Sequence, residues 1–243
     1  MPPFLPFPLE SKLLTAMNSS AELMTIPLFP LGSVLCPGGS LPLRIFEVRY
    51  LDMVGKCHKA GTPFGIVALT QGHEVRKPGQ GPVGDGFAHE AFNAVGTLVE
   101  IVDFAAPQPG LLEIRCSGTQ RFRMKSFEQL KHGLWTAQVE MLAPDLAVKI
   151  PADLQPAAQL LQNLIDTLQT RDVPHPEMPF EPPYHLDDCG WVANRWCEIL
   201  PLPLQHKQRL MELDNPLLRL ELINDLLDRG GKANSGSQPS AGA

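Results

Sequence analysis

Between Ser40 and Val54 the spacing of apolar residues changes. Leu41, Leu43 and Ile45 alternate with Pro42 and Arg44, the period of a strand, whereas Tyr50, Leu51 and Val54 follow at helical spacing. The pattern predicts a strand that runs into a helix over about Glu47 to Ala60, with Glu47 and Arg49 at the changeover. Around it, from Thr25 to about Asp145, lie further short apolar runs cut by Gly and Pro: TIPLFPL, PFGIVALT, VGTLVEIVDF, LLEIRCSG, TQRFRMKSF and LWTAQVEML. Their length and their β-branched and aromatic content predict strands. Gln71 to Gly86, with five glycines and almost no apolar content, reads as a mobile surface loop.

Past Lys149 the period becomes helical. Leu161, Leu164 and Leu168, with Leu160 and Ile165, form a stripe between about Asp153 and Arg171. The five prolines of Asp172 to His185 make a connector. A second helix, capped by Asp187 or Asp188, carries Val192, Trp196, Ile199 and Leu200. A short one follows over about Leu204 to Leu213. The last opens with Asn215 as cap and Pro216 at its first position, buries Leu220, Ile223 and Leu227, and is expected to stop at Gly230-Gly231. The expected organisation is a flexible extension (1–24, with Met17 or Met24 as alternative starts), a barrel-like, mainly β unit (25–148), a helical unit (149–230) and a disordered tail (231–243), an α+β fold.

Composition narrows the classes. Hydrophobic residues make up 44% and charged residues 19%, and no apolar run approaches the ~20 residues of a membrane-spanning helix, so no membrane association is expected. The first residues lack the basic start of a secretory signal, and five cysteines without CxxC spacing suit a reducing cytoplasm. Residues 1–149 carry 13 acidic and 13 basic side chains and residues 150–243 carry 13 and 7, so the net −6 lies wholly in the second part. That disfavours a generally basic nucleic-acid-binding surface.

Candidate chemistry is sparse. Ser40 in GGSLP has only its preceding glycines in common with a nucleophile elbow. Cys57 and His58 are neighbours that a helix points about 100° apart. His185, Asp188 and Cys189 share a helix face but find no second cluster to complete a metal site, and GQGPVGDG precedes no helix that would make it a phosphate loop. No metal and no cofactor is expected. Arg121, Arg123 and Lys125 alternate with Phe122 and Met124, so one strand face would present three cations to a phosphate backbone; RNA binding is the main alternative function, and a hydrolase of its own a weaker one. Trp196 lies on a helix stripe and reads as core, while Trp191 is either an exposed anchor or packed on the barrel.

Thr25 to Tyr50 resembles the opening of the N-terminal, substrate-binding domain of the ATP-dependent Lon proteases. The residues that carry the resemblance are Pro27 through Leu31, including Phe29; Pro37-Gly38; and Pro42, Leu43, Ile45, Phe46, Glu47, Arg49 and Tyr50. Later landmarks are Gly96-Thr97, Gly118 with Arg121-Phe122, and the final helices, so the resemblance covers about 25–229. It implies a PUA-like antiparallel β pseudo-barrel followed by a small helical bundle, and binding of unfolded or hydrophobic polypeptide, with a protease or chaperone as a further partner. In that family the motor and protease are separate parts. No GxxxxGK[ST] phosphate loop occurs in this sequence, so a free-standing, non-catalytic module is expected. The candidate polypeptide contacts are Leu31, Pro37, Pro42, Arg44, Phe46 and Trp191. Pro27, Phe29, Glu47, Arg49, Tyr50, Gly96 and Arg121 are expected to hold the fold. Glu47 is expected in the first helical turn, close to free amides, and Arg49 at a carbonyl or carboxylate of a neighbouring strand.

Overall fold

The computed structural model describes residues 23–74, 90–171, 173 and 178–235, with side chains to residue 230. The expected extension, most of the glycine-rich loop, part of the proline-rich connector and the tail from 236 lie outside the described residues.

The strands are β1 (Met24–Leu31), β2 (Ser40–Ile45), β3 (Phe64–Gln71), β4 (Ala91–Phe92), β5 (Val95–Gln108), β6 (Leu111–Gln129) and β7 (Trp135–Met141), with α1 (Val48–Ala60) between β2 and β3. The order β1-β7-β6-β5-β3 is antiparallel throughout. A parallel pairing of Leu28–Leu31 with Gly65–Ala68 joins β1 to β3 and closes the barrel. Alternate residues fill it: Leu28, Val67, Phe122 and Val139 are buried inside. The two runs LLEIRCSG and TQRFRMKSF are one strand, not two. The first half of β6 pairs with β2 and β5, and its second half turns to β7 through register shifts that bend it.

Gly38, at φ 74°, takes the left-handed conformation that lets the Pro37-Gly38 turn fold back on β6, where Gly38 N–H donates to the Gly118 carbonyl at 2.8 Å. Helix α1 buries Tyr50, Met53, Val54 and Cys57 against Phe29, Phe64, Val99 and Ile114.

The helices are α2 (Gln155–Thr170), α3 (Cys189–Ile199), α4 (Leu204–Glu212) and α5 (Pro216–Ser235). Asp188 caps α3: Oδ1 accepts from Trp191 N–H at 2.8 Å and Oδ2 from Val148 N–H at 3.0 Å. Both oxygens are therefore committed to backbone amides. Asn215 Oδ1 caps α5 by accepting from Leu217 and Leu218 N–H. Contrary to expectation, α5 continues through Gly230-Gly231 to Ser235. Gly lacks steric barriers to helical dihedrals and costs only about 1 kcal/mol in a helix, so a long packed helix runs through the pair. No described helix is long and apolar enough to cross a membrane.

Strands and helices share one core. Val34, Cys36, Ala68 and Val95 pack with Leu161, Val192, Trp196, Leu220 and Ile223. At the same seam, Asp145 accepts from Arg121 Nη2 at 3.1 Å and from Arg219 Nη1 at 2.6 Å. Arg121 also donates to the carbonyls of Met211 and Leu213. Arg195 donates to the carbonyls of Pro37 and Gly38 and pairs with Glu198, which accepts from Cys36 N–H at 2.8 Å. Two anchors thus pin the helices to the barrel.

Candidate polypeptide-binding surface

The six residues expected to contact polypeptide separate into two groups. Leu31 at the end of β1 and Pro42, Arg44 and Phe46 on or just after β2 line one hollow of about 180 Å³, together with Phe29, Leu43, Ile45, Tyr50 and the carboxylates of Glu47 and Glu74. Strand alternation puts Leu43 and Ile45 inward, and the turn into α1 leaves Phe46, at the mouth, 56% exposed and Val48, the first residue of α1, 81% exposed. Below the hollow, Phe29 stacks on Tyr50 with ring centroids 4.1 Å apart.

The rim is polar and already partnered. Arg44 pairs with Glu113 at 3.1 Å, and Glu74 accepts from Gly32 N–H at 2.6 Å. The hollow is thus an apolar socket with a charged lip, smaller than the 300–1,000 Å³ of typical small-molecule pockets. Its size suits a protruding side chain of an extended chain. Among the described strands β2 pairs only with β6, so its outer edge borders the socket unpaired, although Pro42 offers no N–H there.

Pro37 and Trp191 lie elsewhere, in a groove of about 610 Å³ along the seam between barrel and helices. The Pro37 carbonyl accepts from Arg195 and Asn194, and Trp191 is half-buried beside Arg195, Tyr184 and His185. The seam's walls include groups that hold it shut: Arg121, Asp145 and the cap Asp188.

Two of the residues expected to hold the fold, Arg49 and Glu47, meet at the start of α1. Arg49 Nη2 pairs with Glu90 Oε1 at 3.0 Å and its Nη1 donates to the Gly133 carbonyl at 3.1 Å, a partner on each side of the barrel end. Burial is the largest single influence and works against its charge, but the hydrogen bond to Glu90 together with the nearby Tyr50, Glu90 and Glu47 outweighs it and holds its pKa above the ordinary guanidinium value. Trp135 Nε1 donates to the same Glu90 at 2.7 Å. Glu47 departs from expectation. It is the cap residue in extended conformation and its carboxylate bonds Arg49 Nε at 3.1 Å, not the helix amides.

The three-cation face does not form. Arg121, Arg123 and Lys125 do share a face of β6, but its near end is covered by the α4–α5 connection, so Arg121 is 3% exposed; Lys125 pairs with Glu140. The nucleophile candidates are equally committed. Burial pushes the Cys57 thiol up, His58 stacks on Phe104 at 4.1 Å, and Ser40 Oγ donates to Glu181. Among the described residues no group of His, Cys, Asp or Glu is placed to hold a metal ion.

Val48, Glu74, Glu90 and Asp145 were not singled out from the sequence. Val48 carried a sign: it falls off the helical stripe of Tyr50, Val54 and Cys57. Glu90 and Asp145 carried none, because their partners are distant along the chain.

Comparison with known proteins bears on what such a surface is for. Residues 25–229 match the family described as the ATP-dependent protease La (LON) substrate-binding domain. A Lon protease of Desulfovibrio desulfuricans is 24% identical over 90% of this chain and one of Xanthomonas oryzae pv. oryzae 22% over 93%. The chain spans 24% and 25% of their lengths. A crystal structure of a Lon N-terminal domain protein from Xanthomonas campestris superposes with a TM-score of 0.62 at 31% identity, covering 83% of this chain and 98% of that one. The N-terminal domain of Mycobacterium avium complex Lon protease shares the fold at a TM-score of 0.50 and 12% identity, covering 83% and 97%. With nearly all of its barrel and helices and both its PLFPL and PLRIFEVRY segments inside the matched span, the chain belongs to the LON substrate-binding domain family.

Proposed function

We propose that this protein is a non-catalytic module of the cytoplasm that recognises exposed apolar segments of unfolded or hydrophobic polypeptides, acting beside a protease or chaperone. Recognition belongs to the barrel of 25–148, and the helices of 149–230 brace it. The single observation that supports the reading is the convergence of Leu31, Pro42, Arg44 and Phe46 on one apolar socket beside an unpaired strand edge. An extended chain would lay an apolar side chain into the socket against Phe46, with the exposed Val48 two residues on extending the apolar surface. Burial would contribute ~25 cal/mol per Å² of apolar surface, and the Arg44–Glu113 lip would orient the polar backbone.

A peptide array of overlapping segments from a set of unfolded proteins tests this. Binding enriched for apolar and aromatic segments in wild type, and lost in Phe46→Asp/Val48→Asp, is expected. An array with no apolar preference, or one unchanged by the double variant, would count decisively against it.

A further inference from the structure

Helix α5 has more apolar surface than its core-facing stripe uses. Leu220, Ile223 and Leu227 face the shared core, yet Leu222 and Leu226 lie on another side, with Leu222 40% exposed. These two meet Leu202, Leu210 and Leu213, beside and on α4, across a groove of about 350 Å³. The two helices contribute faces of the same spacing: His206, Arg209, Leu210 and Leu213 on one, Leu222, Asp225, Leu226 and Arg229 on the other. The floor is leucine and the rim is charged.

The charge on that rim runs against its surroundings. Residues 150–243 carry 13 acidic and 7 basic side chains, and two of those seven, Arg209 and Arg229, border this groove. Both are exposed, and neither makes an ion pair with a described residue, although Asp225 lies one turn before Arg229. By contrast Arg195 and Arg219 are buried in the seam. An apolar floor with unmatched guanidinium groups on its rim fits a ligand that is apolar on one side and anionic at its edges. A second copy of this chain fits poorly, since a self-complementary contact needs both signs and this rim is predominantly cationic. A concave cleft between helices also suits a segment better than a flat bilayer.

We propose that the α4–α5 groove is a second docking site, taking an amphipathic segment of a partner polypeptide with leucine-like side chains on the floor and carboxylates bonded to Arg209 and Arg229. The inference rests on the reading of the chain as a polypeptide binder but on none of the residues of the barrel socket.

Fluorescence anisotropy tests it with a fluorescein-labelled peptide of leucine and glutamate at helical spacing, and its counterpart with lysine in place of glutamate. Wild type binds the glutamate peptide and not the lysine one. Arg209→Glu/Arg229→Glu binds the glutamate peptide about tenfold or more weakly and gains the lysine peptide, which also demonstrates that the variant is folded. Phe46→Asp/Val48→Asp leaves this binding unchanged, so failure of the socket and failure of the groove are separable. Equal binding of both peptides by wild type, insensitivity to charge reversal, or loss only in the socket variant overturns the proposal. So does capture of anionic phospholipid vesicles, abolished by charge reversal, with no peptide binding.

Discussion

Asp145→Asn isolates the electrostatics of the seam, because it removes one charge while keeping the side chain's shape. The carboxylate is 16% exposed and bonds two guanidinium groups, Arg121 and Arg219, whose side chains are 3% and 1% exposed. Removing one partner of a buried pair costs about 3–5 kcal/mol, since the remaining charge stays desolvated. Part of that is retained here. Arg121 and Arg219 keep carbonyl acceptors at Met211, Leu210 and Leu213, Arg219 keeps Asn194 Oδ1, and the exposed Asp214 lies 3.2 Å from Arg121. A net loss of about 2–4 kcal/mol is expected, or roughly 4–16 °C in Tm for a domain of this size. Urea denaturation followed by tryptophan fluorescence measures it, with Trp191 and Trp196 on α3 beside the seam as reporters. A loss below about 1 kcal/mol, the range of an exposed ion pair, would refute the claim that this carboxylate holds the helices to the barrel.

Gly96→Ala would put a Cβ into the Ile66 carbonyl and within 2.7 Å of both Phe122 Cζ and Val67 Cγ1, so a loss of about 1–3 kcal/mol in chemical denaturation is expected and an unchanged midpoint would contradict the packing described. Burial raises the Glu198 pKa above its ordinary 4.5 despite Arg195 beside it, so the folded state holds the proton more tightly than the unfolded. Its contribution is therefore present below about 4.5 and lost as pH rises through the folded value. Relative to Glu198→Gln, wild type should lose stability across that window, and parallel stability–pH curves would count against it. All five cysteines are buried and free, with burial pushing Cys116 up to about 12; native protein should resist a thiol reagent that labels it in denaturant, and fast native labelling would show the core to be open.

Local chemistry was legible in the sequence and distant partnership was not. Asp188 and Asn215-Pro216 announce helix starts because a cap acts within three residues, and both act as caps in the structure. Gly118 looked like a break between two strands, yet the chain passes through it, because a strand glycine permits close approach of the Pro37-Gly38 turn without ending the ladder. Phe46 and its neighbours stand out because one strand and one turn bring them together. Arg49 could be read as needing an acceptor, but nothing local names Glu90, which lies 41 positions away. Arg121 misled for the same reason: alternation specifies the face of the strand, while only the tertiary fold reveals that α4 and α5 cover it.

The most direct test of the central claim is isothermal titration of the purified protein with a permanently unfolded, reduced and alkylated polypeptide, without nucleotide. The account predicts saturable binding that Phe46→Asp/Val48→Asp removes while the thermal melt stays unchanged, since Phe46 at the mouth of the socket and Val48 two residues beyond it are both exposed. No binding by wild type, or equal binding by the double variant, would contradict it.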